Sequence, residues 1–414
     1  MRSVIDQLPG SKVREVANAG LGRDDVLAFW FGESDEPTPL FIREAAMKSL
    51  QEGETFYAHN LGLPELREAL SRYVGGLHKP VDASRIAVTS SGVNALMLAM
   101  QALAGPGDEV VAVVPVWPNL TAQPAILGAT VKRVSLEVRD GAWCLDLPAL
   151  LAAVTPTTTV LLVNAPNNPT GWTLTRAEQA AILAHCRRTG TWIVADEVYE
   201  RVYFAPGSTA AAEPPQGGRT PPCMFLPRGA GATGDVGVPS CAPSFLDLAE
   251  LDDRLVVAHS FSKSFLMTGW RLGWLVAPPV LMPALGKLIE FNTSCAPVFI
   301  QRAGLAALAG AADFVPGLVS RLKNCRDTLL PALAAVPGVT VAVPEGGMYA
   351  FFRIEGHGDS LALAKRLVVE AGLGLAPGAA FGDEAEGWLR WCFASNDPKR
   401  LTQGVERLAK FLRL

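Results

Sequence analysis

The chain has 414 residues, of which 49% are apolar and only 18% charged. That balance excludes a disordered chain and a small scaffold dependent on staples, and it supplies enough apolar material for a sizeable core. With 36 Lys plus Arg against 40 Asp plus Glu and no basic run, the charge gives no basis for nucleic acid or an anionic membrane as the main partner.

The opening segment, through about residue 45, reads as an arm that ends in the turn-rich Glu-Pro-Thr-Pro. It has no apolar block after its first basic residue, and the most apolar later stretch, Leu272 to Leu285, is interrupted by Pro278, Pro279 and Pro283. No membrane span is expected, and a cytoplasmic location is. The seven cysteines are scattered without a C-x-x-C pair, so they predict buried thiols in a reducing compartment rather than disulfides or a zinc site. The five histidines show no ligand spacing, and no metal is expected.

From about residue 46 to 290, short β-rich runs each lead into a turn and then a helical pattern: RIAVTSSG, DEVVAVVPVW, TVLLVNAPNNPTG, TWIVADEVY and RLVVAHSFSK. This alternation predicts an α/β domain whose mostly parallel mixed sheet is covered by helices on both faces. Ligands of such sheets gather at the carboxyl ends of the strands. A stretch rich in Pro and Gly, residues 205–245, has little apolar periodicity and is expected to be a surface insertion. Residues 291–414 read as helices around short strands at 339–343, 349–354 and 388–393, a smaller α+β domain.

The polar clusters fall at the strand ends. Lys263 follows the apolar run LVVA, where partial burial would lower its pKa and make the amine a usable nucleophile toward an aldehyde. Arg271, eight residues on, offers a fixed cation for a phosphate. Ser90-Ser91-Gly92-Val93-Asn94 opens a helix, where free N–H groups make an anion seat. Trp117 offers a ring face, Asp196 an acid for a protonated ring nitrogen, and Tyr199 and Asn168 hydrogen bonds for a phenolate oxygen. Together these are the attachment points of pyridoxal phosphate.

The segments SFSKSFLMTGWRLGW, NAPNNPTG and ADEVYE resemble the class I/II aminotransferases, a family of fold-type I pyridoxal-phosphate enzymes, from about Trp30 to the C-terminus. The resemblance implies that Lys263 bonds the cofactor and later shuttles the proton, that Asp196 pairs with the ring nitrogen, and that Tyr199 and Asn168 hold the ring oxygen. Trp117 would stack on the ring, with Gly92, Val93, Asn94, Ser260 and Arg271 around the phosphate. Tyr57 resembles the tyrosine that reaches the phosphate of a neighbouring subunit, which implies a homodimer with active sites at the interface. Arg390 resembles the arginine that grips the substrate α-carboxylate, and Gly32 would offer a backbone amide beside it.

The implied activity moves the amino group of an L-amino acid to a 2-oxo acid by ping-pong chemistry. A lyase or decarboxylase on the same scaffold is the alternative, and a non-catalytic sensor lacks a DNA-reading module before Trp30. The family's arm motif Gly-Glu-Pro-Asp stands here as Gly32-Glu33-Ser34-Asp35, and Val93 replaces a more polar residue. The amino donor is left open, with Trp30, Phe31, Met348 and the stretch around Asn292 as expected pocket residues.

Overall fold

The computed structural model describes residues 1–204 and 241–413. Among them run fourteen strands: β1 (Leu27–Ala28), β2 (Ile86–Thr89), β3 (Glu109–Val114), β4 (Thr130–Arg139), β5 (Ala142–Leu145), β6 (Thr158–Asn164), β7 (Trp192–Asp196), β8 (Leu255–Ser260), β9 (Gly273–Val276), β10 (Val339–Val341), β11 (Tyr349–Ile354), β12 (Leu373–Gly374), β13 (Ala376–Pro377) and β14 (Trp388–Cys392).

Eight of them form one sheet in the order β2-β9-β8-β7-β6-β3-β4-β5. The pairings β3 with β4, β3 with β6, β6 with β7 and β7 with β8 are parallel, whereas β9 and β5 run against their neighbours. Both faces of the central strands are buried, and their alternate residues pass to opposite cores. Val111, Val113, Leu161, Val163, Ile193 and Ala195 join one apolar cluster. Their neighbours Val110, Ala112, Val160, Leu162 and Val194 join another. Truncating one of these fully buried side chains, as in Leu161→Ala, is expected to cost about 2–5 kcal/mol.

Several helices start where the sequence supplies a side-chain cap. Ser91 Oγ accepts the Asn94 N–H at 3.0 Å before the helix Gly92–Leu103. Thr175 and Glu178 form a reciprocal capping box before Arg176–Thr189. Asp359 Oδ1 accepts the Ala362 N–H at 2.9 Å before Ser360–Ala371.

A second sheet, β10-β11-β14-β13, is antiparallel and buries its own aromatic-rich core with the helices Ala311–Ala334, Ser360–Ala371 and Pro398–Phe411. β1 pairs in parallel with β12, which ties the N-terminal arm to this part of the chain. Two of the expected boundaries, at 45 and 290, fall inside continuous helices, Leu40–Gln51 and Met282–Asn292. Most of the expected insertion, 205–240, lies outside the described residues. Its last five residues are not loose surface: Ala242, Ser244 and Phe245 are buried, and the Ala242 N–H donates to the Glu200 carbonyl at 2.7 Å.

No single helix among the described residues is long and apolar enough to cross a membrane.

Candidate active site

Five strands of the large sheet deliver their carboxyl ends to one cavity of about 990 Å³. β2 leads to Gly92 and Val93, β3 to Trp117, β6 to Asn168, β7 ends on Asp196, and β8 ends on Ser260 with Lys263 just beyond. β3 and β6 are neighbours from which the chain departs in opposite directions, and a crevice opens at such a reversal. Tyr199, Arg271, Gly32 and Arg390 also line the cavity.

Burial sets the charge state at its floor. Lys263 is removed from water, which pulls its pKa down to about 8, and its Nζ donates to the Gly32 carbonyl. Burial pushes Asp196 up to about 7, although the Val198 N–H at 3.2 Å and the nearby Lys263 charge act in the opposite sense. Desolvation is the larger effect and takes Asp196 toward half-protonation at neutral pH, whereas a further cation beside it would favour its ionised form. The backbone around it is fixed by Asn164, whose Nδ2 donates to the Asp196 carbonyl at 3.0 Å and whose Oδ1 accepts the Asn168 N–H at 2.8 Å.

At the opposite wall, Arg390 Nη1 donates to Asn168 Oδ1 at 3.0 Å and Nη2 donates to the Trp30 carbonyl. Its guanidinium carbon lies 4.4 Å from the Tyr349 ring centre and 4.9 Å from that of Phe381. The buried Nε has no hydrogen-bond partner among the described residues. Tyr199 and Tyr349 meet hydroxyl to hydroxyl at 2.6 Å, and burial raises the pKa of both well above that of an ordinary phenol. A Cβ on Gly32 would lie 2.2 Å from Tyr349 Oη, so only glycine fits between that ring and Lys263.

The far end of the cavity is built for an anion. The N-terminus of the helix Gly92–Leu103 opens there, and a Cβ on Gly273 would come within 2.5 Å of the Gly92 nitrogen, so β9 closes on this turn only as glycine. Arg271 is solvent-exposed in a left-handed conformation, φ 55°, and its Nη1 donates to the Thr268 carbonyl at 2.6 Å. Desolvation lowers its pKa. Ser260 Oγ lies 2.9 Å from Ser262 Oγ beside it.

Four residues expected at the cavity, Asn94, Asn292, Met348 and Trp30, are placed elsewhere. Asn94 does not line the cavity: its Nδ2 donates to Asn292 Oδ1 at 2.8 Å, and its Oδ1 accepts the Ser90 N–H at 3.3 Å. Asn292 and Met348 are likewise absent from the lining, and the Trp30 ring lies over Gly374 and Gly20 rather than in the pocket. Tyr57 is 88% exposed and away from the cavity of its own chain. Tyr349, Phe381, Lys12 and Arg14 line the cavity without having been singled out in the sequence. For Tyr349 a signal existed, a tyrosine opening a strand one residue beyond the turn Pro344-Glu345-Gly346-Gly347.

Behind Asp196, ligand atoms of Glu197, Glu200 and His259 lie within 4.8 Å of one another, a convergence the histidine spacing did not show. Glu197 accepts from Ser244 Oγ and the Phe245 N–H, while His78 bridges Glu200 at 3.2 Å and Asp247 at 3.1 Å. Burial opposes a charge on His78, yet the two carboxylates outweigh it and raise its pKa to about 11. The group is therefore already neutralised internally.

The family model for aminotransferases of class I and II matches residues 24–408. The chain belongs to the class I and II aminotransferases. It is 32% identical to an aspartate aminotransferase of Musicola paradisiaca over 88% of this chain and 83% of that one. It is 30% identical to an arginine–pyruvate transaminase of Pseudomonas aeruginosa over 89% and 85%. The solved aspartate aminotransferase of Thermotoga maritima superposes with a TM-score of 0.85 at 30% identity, covering 100% of both chains. The α/β fold-type I architecture and the transfer of amino groups between amino acids and 2-oxo acids follow from that membership, as does pyridoxal phosphate as cofactor. The cavity fits this cofactor chemically. It offers a buried amine, a buried acid whose charged form needs a cation, and a helix N-terminus with Arg271 for a phosphate.

Proposed function

We propose that this aminotransferase binds pyridoxal phosphate between Trp117 and the end of β7, with Lys263 as the residue bonded to it. The convergence of Lys263 and Asp196 in one buried cavity carries this reading. When bound, the cofactor supplies an aldehyde that takes up the amino group and a ring that withdraws electrons.

The chain's own residues do the rest. Asp196 holds a proton at the ring nitrogen, because a cation beside a buried carboxylate favours its ionised form. Tyr199 and Asn168 orient the ring oxygen, and Gly92, Val93, Ser260 and Arg271 hold the phosphate, with Asn94 acting through the turn rather than by contact. Arg390 grips the substrate α-carboxylate as a fork, exchanging its present bonds to Asn168 and the Trp30 carbonyl for stronger charge-assisted ones. Lys263 Nζ, once free and about half neutral near pH 8, moves the proton at the substrate α-carbon. The Gly32 carbonyl keeps that amine aimed into the cavity.

Exposed Phe56, Tyr57 and Phe291 support a homodimer in which Tyr57 reaches the partner's phosphate site. Cys186, Cys241, Cys295, Cys325 and Cys392 are free thiols, which supports a cytoplasmic setting. Relatives at similar identity are named for aspartate and for arginine, so the donor has to be read from the pocket.

Spectroscopy tests the reading. One equivalent of a competent amino acid should bleach the band of the bound aldehyde, and a 2-oxo acid should restore it. Release of CO₂ or of an unsaturated product without that cycle would point to a lyase or decarboxylase instead.

A further inference from the structure

The N-terminal helix, Lys12–Ala19, begins at the wall of the cavity and places two cations there, Lys12 and Arg14. Their bonding is incomplete for charged groups. Lys12 Nζ donates to the Ala379 carbonyl at 3.1 Å, a neutral acceptor. Arg14 lies with its guanidinium carbon 5.9 Å from the Phe31 ring centre. Among the described residues, neither has a carboxylate within ion-pair distance. The nearby acids make their hydrogen bonds and ion pairs elsewhere, Glu15 with Lys365, Glu384 with Arg133, and Glu386 with the N–H groups of Ser360 and Gly387, although the Lys12 charge helps to lower the Glu386 pKa. Asp383 also lines the cavity, but it makes no ion pair with either cation.

Their position relative to the chemistry is defined by short chains of contact. Lys263 donates to the Gly32 carbonyl, Phe31 precedes Gly32, and Arg14 stands over Phe31. Lys12 is held by Ala379, two residues from the Phe381 ring that flanks Arg390. The cofactor's phosphate has no need of either, since Arg271 and the helix at Gly92 lie at the other end. Two cations therefore remain beside the space between Lys263 and Arg390, where a substrate side chain would extend.

We propose that Lys12 and Arg14 determine donor specificity by reading a carboxylate on the substrate side chain, so that the enzyme prefers dicarboxylic amino acids and 2-oxo acids. This rests on the assignment of the cavity as the amino-transfer site. The ammonium and guanidinium act as second and third cations after Arg390, separated from it by the substrate's carbon chain. A neutral or aromatic side chain would offer neither charge an anionic partner.

The test compares kcat/KM of the holoenzyme for aspartate and glutamate with that for alanine and phenylalanine, in the native protein and in Arg14→Met and Lys12→Met. We expect the acidic donors to lead by about tenfold or more, and the ratio of acidic to neutral donors to fall about tenfold in each variant, the effect of losing one charge-assisted contact. Calorimetric titration with succinate and with butanoate reads the same site without turnover. Succinate should bind the tighter, and its advantage should shrink in both variants. Alanine or phenylalanine matching aspartate, or ratios and succinate affinities unaltered by both substitutions, would overturn the proposal. If no amino acid bleaches the cofactor band, the amino-transfer assignment fails, and the succinate titration still decides whether Lys12 and Arg14 bind a dicarboxylate.

Discussion

Tyr199 and Tyr349 share a single hydrogen bond at 2.6 Å, joining the turn after β7 to the start of β11 at the wall of the cavity. Tyr349 also lies beneath Arg390, so one side chain links the residue proposed to orient the cofactor with the one proposed to grip the substrate.

Two substitutions separate those roles. Tyr349→Phe keeps a ring under Arg390 but leaves the buried Tyr199 hydroxyl without its partner, which should cost about 1–3 kcal/mol of stability. Tyr349→Leu removes the ring face as well, and should raise KM for amino and 2-oxo acids beyond the effect of the Phe variant. Denaturant midpoints and steady-state kinetics on the two variants check this.

Arg390→Lys keeps the charge and loses the planar fork. The expected result is a KM for both substrates raised by roughly 10- to 100-fold, as a bidentate contact is replaced by a point charge. Cofactor affinity, measured by absorbance titration, should change by far less.

Much of this site was legible locally because its residues follow strands. The runs ending at Thr89, Val114, Asn164, Asp196 and Ser260 are buried on both faces, and that pattern announces interior strands of an α/β sheet whose carboxyl ends hold ligands. Tyr349, Phe381, Lys12 and Arg14 reach the same cavity by tertiary routes. They depend on the pairing of β14 with β11 and β13 and on the packing of the N-terminal helix, neither of which leaves a periodic trace in the sequence. Trp30 misled for a related reason: its ring needs the bare backbones of Gly20 and Gly374, which lie 10 residues before it and 344 after it. His78 and His259 converge on Glu200 from separate elements, so their spacing carried no signal.

Lys263 gives a pH prediction. Its pKa is depressed to about 8, so the neutral amine that attacks an aldehyde accumulates as pH rises through that value. The rate at which cofactor-free protein takes up pyridoxal phosphate should climb with pH and level off above about 8. Stopped-flow absorbance would show this, whereas a solvated lysine would still be gaining rate near pH 10.

Asp196 gives a second one, in stability. Its folded pKa is raised to about 7 from an ordinary 3.8, so between these values the folded state holds a proton that the unfolded chain has released. Stability of the cofactor-free protein should therefore fall as pH rises from about 4 to about 7, by at most about 4 kcal/mol from this group. Asp196→Asn should lack that part of the slope in denaturation curves recorded across the window. Lys263 acts above pH 8 and does not confuse the comparison.

The central claim is that Lys263 is the residue that bonds the cofactor. Borohydride reduction of the loaded enzyme, followed by proteolysis and peptide mass spectrometry, tests it directly. The account predicts one stable pyridoxyl adduct, on the peptide Ser262-Lys263-Ser264 and its flanks, and none in Lys263→Ala. An adduct on another lysine with position 263 unmodified would contradict it.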